Sequence, residues 1–306
     1  MNTKVSTLTG AVAPADLGKI YLHEHVLTDP PLSRMSLDPD YKLDSIEKIV
    51  AELNLFYEAG GRSLMDCTAL DYGRDAKRML EVARQVKVNI LALTGFNRGD
   101  YVDWVRDGDE GLFEQLIMKD IEEGMDGTGC KPAAIKIGTG YNNILPSEFK
   151  MIKAAGRAHQ QSNLPVLTHT TLGTMGLDQV RLLEKAGVDP NRVALSHLDQ
   201  NLDFYYLNQI ASAGAYIEFD GPSKVKYAPD SARVEMLCRL CEAGHEDRLL
   251  ISGDMGRQSY LTSYGGGPGF GFLLDRFVPR LLDEGFSQNL VDKFFIHNPA
   301  RFLSAR

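Results

Sequence analysis

The chain has 306 residues, enough for one large domain or two ordinary ones with a sizeable core. Its 33 Lys and Arg stand against 41 Asp and Glu, a net charge of −8 that argues against non-specific binding to nucleic acid or anionic membranes. No apolar stretch approaches the roughly 20 residues that cross a bilayer, and the opening Met1-Asn-Thr-Lys-Val-Ser6 lacks the apolar core of a signal peptide, so a cytoplasmic protein is expected.

Residues 1–18 read as an N-terminal cover. Strand patterns then follow at 19–24, 62–67, 89–94, 133–138, 164–169, 192–197, 215–219 and 248–253. Helical patterns alternate with them near 44–59, 74–87, 112–123, 147–161, 175–186, 203–213, 231–243 and 269–284, and a closing helix is expected over 287–306. Several strands are continuous apolar runs, such as Ile90-Leu-Ala-Leu93 and Leu249-Leu-Ile251, which suit a parallel sheet covered on both faces. Gly60, Gly187 and Gly214 stand where helices end and strands begin. Eight such repeats predict an α/β fold of the (β/α)8 TIM-barrel type, as a single domain over 1–306. A doubly wound open sheet is the alternative. It would bring a phosphate-binding glycine loop after the first strand, and that place holds His23-Glu-His25. Cys238-Arg-Leu-Cys241 falls in a helical pattern without a second Cys pair and is read as two small helix residues rather than zinc ligands.

In such a barrel the C-terminal strand ends converge on one mouth, where active sites collect. The first strand ends at His23-Glu-His25, and side chains at i and i+2 of a strand share a face. The fifth strand ends at His169, the sixth at His197 and the eighth at Asp254, while the fourth carries Lys136 inside an apolar run. Each residue alone has an ordinary explanation, as a satisfied strand-end histidine or a turn cap. Together they carry the donor count of a site for two divalent metal ions with open positions for water. Lys136 is the odd member, since a protonated lysine repels cations. Either it pairs with a barrel acid such as Asp66 or Glu218, or its desolvated amine takes up carbon dioxide and becomes an anionic carbamate.

The chain resembles the phosphotriesterase family of the amidohydrolase superfamily over nearly its whole length. The matching pieces are Thr7-Leu-Thr-Gly10, Tyr21-Leu-His-Glu-His25, Ile135-Lys-Ile-Gly138, Leu167-Thr-His-Thr170, Leu195-Ser-His-Leu-Asp199 and Ile251-Ser-Gly-Asp254. The resemblance implies that His23, His25 and Asp254 hold the more buried metal and His169 with His197 the more exposed one. N6-carboxylated Lys136 and a hydroxide would bridge them. Zinc is the expected metal, with manganese or cobalt as alternatives, and a homodimer is the expected assembly. Such a metal pair polarises a scissile carbonyl or phosphoryl oxygen, and Asp254 is the expected catalytic proton acceptor.

Substrate choice is left to the loops. The loop after the seventh strand, Asp220-Gly-Pro-Ser-Lys-Val-Lys-Tyr227, and the following Arg257 put Lys224, Lys226, Tyr227 and Arg257 at the mouth as candidate substrate-binding residues. Arg233 is expected on the next helix, facing solvent. Basic residues there fit an anionic small molecule, because many barrels bind a substrate phosphate with these loops. The family includes sugar lactonases, some acting on phosphorylated aldonolactones, and the chain looks more like those members. The expected activity is therefore a sugar lactonase. The alternatives are an arylesterase or phosphotriesterase with promiscuous lactonase activity, and a catalytically silent metal-binding barrel. The glycine stretch Tyr264-Gly-Gly-Gly-Pro-Gly-Phe-Gly271 lacks the ending of a phosphate-binding loop and reads as a mobile lid or a connector.

Overall fold

Eight parallel strands follow a short antiparallel hairpin, β1 (Val5–Thr7) with β2 (Gly10–Val12). They are β3 (Ile20–Glu24), β4 (Ser63–Asp66), β5 (Asn89–Gly95), β6 (Ala134–Thr139), β7 (Val166–Thr170), β8 (Val193–Ser196), β9 (Tyr216–Phe219) and β10 (Leu249–Ile251). Each pairs with its sequence neighbours, in the order β3 to β10 around a (β/α)8 barrel. This computed structural model describes residues 4–304, without the side chain of Arg34. Residues 1–3 of the expected N-terminal cover and 305–306 of the expected closing helix lie outside the described residues.

The helices are α1 (Leu32–Met35), α2 (Ile46–Glu58), α3 (Ala76–Ala83), α4 (Asp103–Arg106), α5 (Glu110–Glu122), α6 (Pro146–Ser162), α7 (Gly176–Lys185), α8 (Phe204–Ser212) and α9 (Asp230–Glu242). The chain closes with α10 (Val278–Asp283), α11 (Gln288–Asp292) and α12 (Asn298–Ser304). Local chemistry explains their starts. Ser45, Asp75, Asp109 and Asp203 each accept a backbone N–H of the first helical turn, satisfying a donor that the helix itself leaves unpaired. Among the described residues no helix is long and apolar enough to cross a membrane.

Alternation along the strands builds two cores. Ile20, Leu22, Met65, Leu91, Leu93, Leu167 and Leu250 fill the barrel interior together with Phe302 and Leu303 of α12. Their neighbours Tyr21, Leu64, Ile90, Ile135, Val166, Ile217 and Leu249 face the helical shell. Burying a side chain of this size contributes about 1.5–3 kcal/mol, so the repeated pattern outweighs the weak preferences of single residues. Strict alternation would set His23 apart from Ile20 and Leu22. A register irregularity between Tyr21 and Glu24 interrupts β3 against β4, and His23 and His25 both reach the mouth while Glu24 turns toward Gly253 and Met255.

The glycine stretch after β10 is a connector. Buried Glu52 of α2 accepts the backbone N–H of Ser263 at 2.7 Å and of Phe270 at 3.0 Å, and Tyr264 Oη accepts from Ser45 N at 2.9 Å. Gly95, at φ 101°, is required where β5 meets β6, because a Cβ there would lie 2.2 Å from the carbonyl oxygen of Lys136.

Candidate metal centre

The strand ends deliver His23, His25, His169, His197 and Asp254 to one pocket of about 240 Å³ at the barrel mouth. Asp254 Oδ1 lies 3.6 Å from His25 Nε2 and 3.9 Å from His23 Nε2. Ligand atoms of His23, His197 and Asp254 all fall within 4.8 Å of one another. On the other side His169 Nδ1 and His197 Nε2 converge to 2.9 Å. Lys136 stands in β6 beside β7, fully buried.

Asp220, the first residue after β9, sets the histidine tautomers. Its Oδ2 accepts from His23 Nδ1 and from the backbone N–H of His197, both at 3.0 Å, and its Oδ1 accepts from His197 Nδ1 at 2.9 Å. An ionised carboxylate only accepts, so both Nδ1 atoms carry the proton and both Nε2 lone pairs are left for a cation. His25 Nδ1 sits 3.0 Å from Thr68 Oγ1, which again leaves Nε2 free. His169 is turned over: its Nε2 lies 3.2 Å from Thr171 Oγ1, so it presents Nδ1.

Electrostatics suit the same purpose. Burial, with the nearby Lys136 cation, pushes His23 down to about 3, and burial with His197 and Lys136 holds His169 well below its ordinary value. His197 is the exception, because Asp220 outweighs burial and raises it. Burial would raise Asp254, but Lys224, His197 and His23 prevail and bring it to about 2. Glu218, accepting from Ser196 Oγ and Ser252 Oγ at 2.8 Å each, is pushed up to about 7 by burial and by Asp220.

The donor set therefore fits divalent cations: His23, His25 and His169 held neutral by burial, His197 beside the Asp220 carboxylate, one ionised aspartate and an unmatched amine. Lys136 Nζ is buried and among the described residues has no hydrogen-bond partner, so the salt bridge to Asp66 or Glu218 that would be its ordinary explanation does not form. A buried ammonium without a partner is costly. Conversion to a carbamate removes that cost and supplies an anion, so the orphaned atom agrees with a metal-bridging role.

Lys224, Lys226, Tyr227 and Arg257 all line the pocket, yet their charges are not equally available. Lys224 donates to Asp254 Oδ2 at 2.5 Å, to the Asp254 carbonyl at 2.7 Å and to the Asp220 carbonyl at 3.2 Å. Arg257 is held by Asp38, by Asp40 at 3.4 Å and by the Tyr41 hydroxyl at 2.6 Å. Lys226 sits 4.9 Å from the Tyr227 ring centroid and 5.6 Å from that of Tyr260, and among the described residues it has no carboxylate partner. Arg233 corrects its expectation. It is on α9 but completely buried, donating to Asp199 at 2.6 Å, to Asp230 at 3.1 Å and to the Ala228 and Lys224 carbonyls.

Three residues of the site escaped the sequence reading of roles. Asp220 stands at a strand end, the same signal that marks His169 and His197, yet in sequence it opens a basic loop that draws attention to Lys224 and Lys226 instead. Glu24 lies between two histidines whose spacing carries the whole local signal. Arg98, from the loop after β5, lines the pocket and donates to Thr171 Oγ1 at 3.1 Å and to Asp100 at 2.8 Å; nothing in its local pattern marks it.

Comparison with known proteins bears on the same site. A model of the phosphotriesterase family matches residues 3–303. The phosphotriesterase homology protein of Escherichia coli is 36% identical over 288 residues, 94% of this chain and 98% of that protein. Its crystal structure, with phosphate in the active site, superposes with a TM-score of 0.90. A phospho-furanose lactonase of Mycoplasmopsis agalactiae is 33% identical over 98% of this chain and 91% of its own length. A lactonase from Listeria monocytogenes superposes with a TM-score of 0.94 at 36% identity, covering 99% of both chains.

Proposed function

Because this chain belongs to the phosphotriesterase family, we propose that it is a metal-dependent hydrolase opening sugar lactones, with phosphorylated aldono-1,4-lactones as the leading substrates. The observation that carries the reading is a converging His23, His25, His169, His197 and Asp254 donor set beneath a rim on which Lys226 has no acid partner among the described residues. Relatives named as phospho-furanose lactonase and lactonase support it, as does the phosphate in the Escherichia coli protein.

His23, His25 and Asp254 would hold one divalent ion, His169 and His197 the second, and carboxylated Lys136 both. Bound there, the ions would supply Lewis acidity, polarising a carbonyl and lowering the pKa of a coordinated water. Asp254, kept ionised by Lys224, accepts the proton of the attacking water and returns it to the ring oxygen as the carbon–oxygen bond breaks. Asp220 keeps His23 and His197 in the tautomer that faces the ions. Lys226 receives the distal anionic group, with Arg257 and Tyr227 lining the same pocket and Lys224 held by Asp254. A neutral phosphotriester would gain nothing from these cations. Aryl ester hydrolysis is the second reading, favoured by Tyr41, Tyr72, Tyr101 and Tyr260 around the same pocket.

Purified enzyme assayed on lactones with and without a phosphate group tests the proposal. The phosphorylated form should be the better substrate. Lys226→Ala should lower its kcat/KM by roughly 10- to 100-fold, the scale of a charge-assisted hydrogen bond, and leave a neutral lactone nearly unaffected. Equal losses on both substrates would remove the anion from the reading.

A further inference from the structure

For a (β/α)8 barrel to close, its last strand must meet its first. Among the described residues the ladder runs from β3 to β10 and does not continue from β10 back to β3. Side chains and a backbone hydrogen bond close the seam. Ser252 Oγ accepts from Leu22 N at 2.9 Å and from His23 N at 3.1 Å, and the backbone N–H of Asp254 donates to the His23 carbonyl at 2.9 Å. The carboxylate of Glu24 then takes the two peptide N–H groups on either side of Asp254: Oε1 accepts from Gly253 N at 2.7 Å and Oε2 from Met255 N at 2.9 Å.

Two further facts give this clasp a function. Asp254 stands at φ 45°, a left-handed conformation that L side chains rarely adopt and that needs outside support. Glu24 is fully buried and sits between His23 and His25, so whatever it grips is registered against both histidines. We propose that Glu24 is a positioning residue, which brackets Asp254 and holds it at a set distance from His23 and His25 across the barrel seam. The partners lie 229 and 231 positions away in sequence, and the two bonds add to the one that the Asp254 N–H donates to the His23 carbonyl.

The geometry uses both oxygens of the Glu24 carboxyl group. Both oxygens accept, one from each peptide, whereas a glutamine offers one acceptor and turns its amide N–H₂ against the second donor. Glu24→Gln is nearly isosteric and so removes half the clasp without leaving a void. Gly253→Ala attacks it from the other side: a Cβ there would lie 2.7 Å from Glu24 Oε1 and must displace the carboxylate. The second variant leaves the chemistry of Glu24 untouched.

The inference rests on reading the mouth as a metal centre, and the experiment separates the two. Metal-free protein is titrated with Zn²⁺ by calorimetry, and thermal unfolding and lactone kinetics are recorded on reloaded samples. Both variants should fold, lose about 10- to 100-fold in affinity for the ion held by His23, His25 and Asp254, and lose kcat with KM little changed. If Glu24→Gln does not fold, Gly253→Ala decides alone. Wild-type affinity and kcat in a folded variant, with only a lower melting temperature, would overturn the positioning role, and so would loss of folding in both. Wild-type protein that takes up no Zn²⁺ would instead sink the metal centre itself.

Discussion

At the scale of the residue, the decisive groups are those whose partners are missing or borrowed. Among the described residues the buried amine of Lys136 has no partner, which makes it a candidate for carboxylation rather than for an ion pair. Lys136→Ala should lose metal and activity together and recover part of both when a short carboxylic acid is added. Lys136→Arg should not recover them, since a guanidinium stays cationic and forms no carbamate. Elemental analysis and activity measured on the same samples check this, and full metal content in Lys136→Ala would refute it. Asp71 offers a test away from the metal ligands. Burial pushes it up to about 6, against the backbone N–H groups of Arg98 and Asn97 that favour the charged form. With its folded pKa raised, the folded state binds the extra proton, so this group's contribution is most favourable below about pH 4. It is lost as pH rises through about 6, a change of about 3 kcal/mol. Asp71→Asn should therefore gain stability relative to wild type between pH 4.5 and 7, read as the difference in unfolding midpoints at the two pH values. An unchanged difference would mean that Asp71 ionises normally.

At the scale of the element, the loops after β9 and β10 show that a basic run is not yet an anion site. The segment from Asp220 to Pro229 is folded around Arg233, which reaches Asp199, Asp230 and the carbonyls of Lys224 and Ala228, while Asp199 also accepts from Gly221 N at 2.9 Å. Arg233 thus shapes the loop that presents Lys224, Lys226 and Tyr227, and does not itself line the pocket. Removing one member of a buried ion pair leaves the other uncompensated and costs about 3–5 kcal/mol. Arg233→Ala should show that loss in denaturant unfolding and raise KM for a phosphorylated lactone more than it lowers kcat. Arg233→Lys should recover only part, because an ammonium cannot reproduce the guanidinium fork. A variant with wild-type stability would mean that the loop holds its shape without the pair.

At the scale of the whole molecule, the proposed ions would join strands from opposite sides of the barrel, so metal binding and global stability should be linked. An ion that binds only the folded protein stabilises it by about 2.7 kcal/mol when its free concentration is a hundredfold above Kd. Chelation should accordingly lower the melting temperature and abolish hydrolysis, and re-addition of Zn²⁺ should restore both. A melting curve indifferent to chelator would count against any structural share for the centre. The overall charge of −8 surrounds a basic rim, so added salt should weaken the productive encounter with an anionic lactone only if the rim field outweighs the rest.

Much of this was legible in the chain alone. The eight strands, their order and their parallel arrangement followed from apolar runs and helical spacing, which depend on neighbours a few positions apart. The strand-end positions of His169, His197 and Asp254 came with them, since a barrel sends every strand end to one mouth. Other features depended on contacts that no local pattern carries. The irregularity in β3 decides that His23 and His25 share the mouth while Glu24 serves the seam. Arg257 meets Asp38 across 219 positions and Arg233 meets Asp199 across 34, so one apparent anion ligand is already paired and one apparently exposed cation lies buried. Periodicity reports which face of an element is covered. It cannot report which charge lies opposite, because that is settled only when distant segments compete for the same few buried positions and every buried polar group must find a partner.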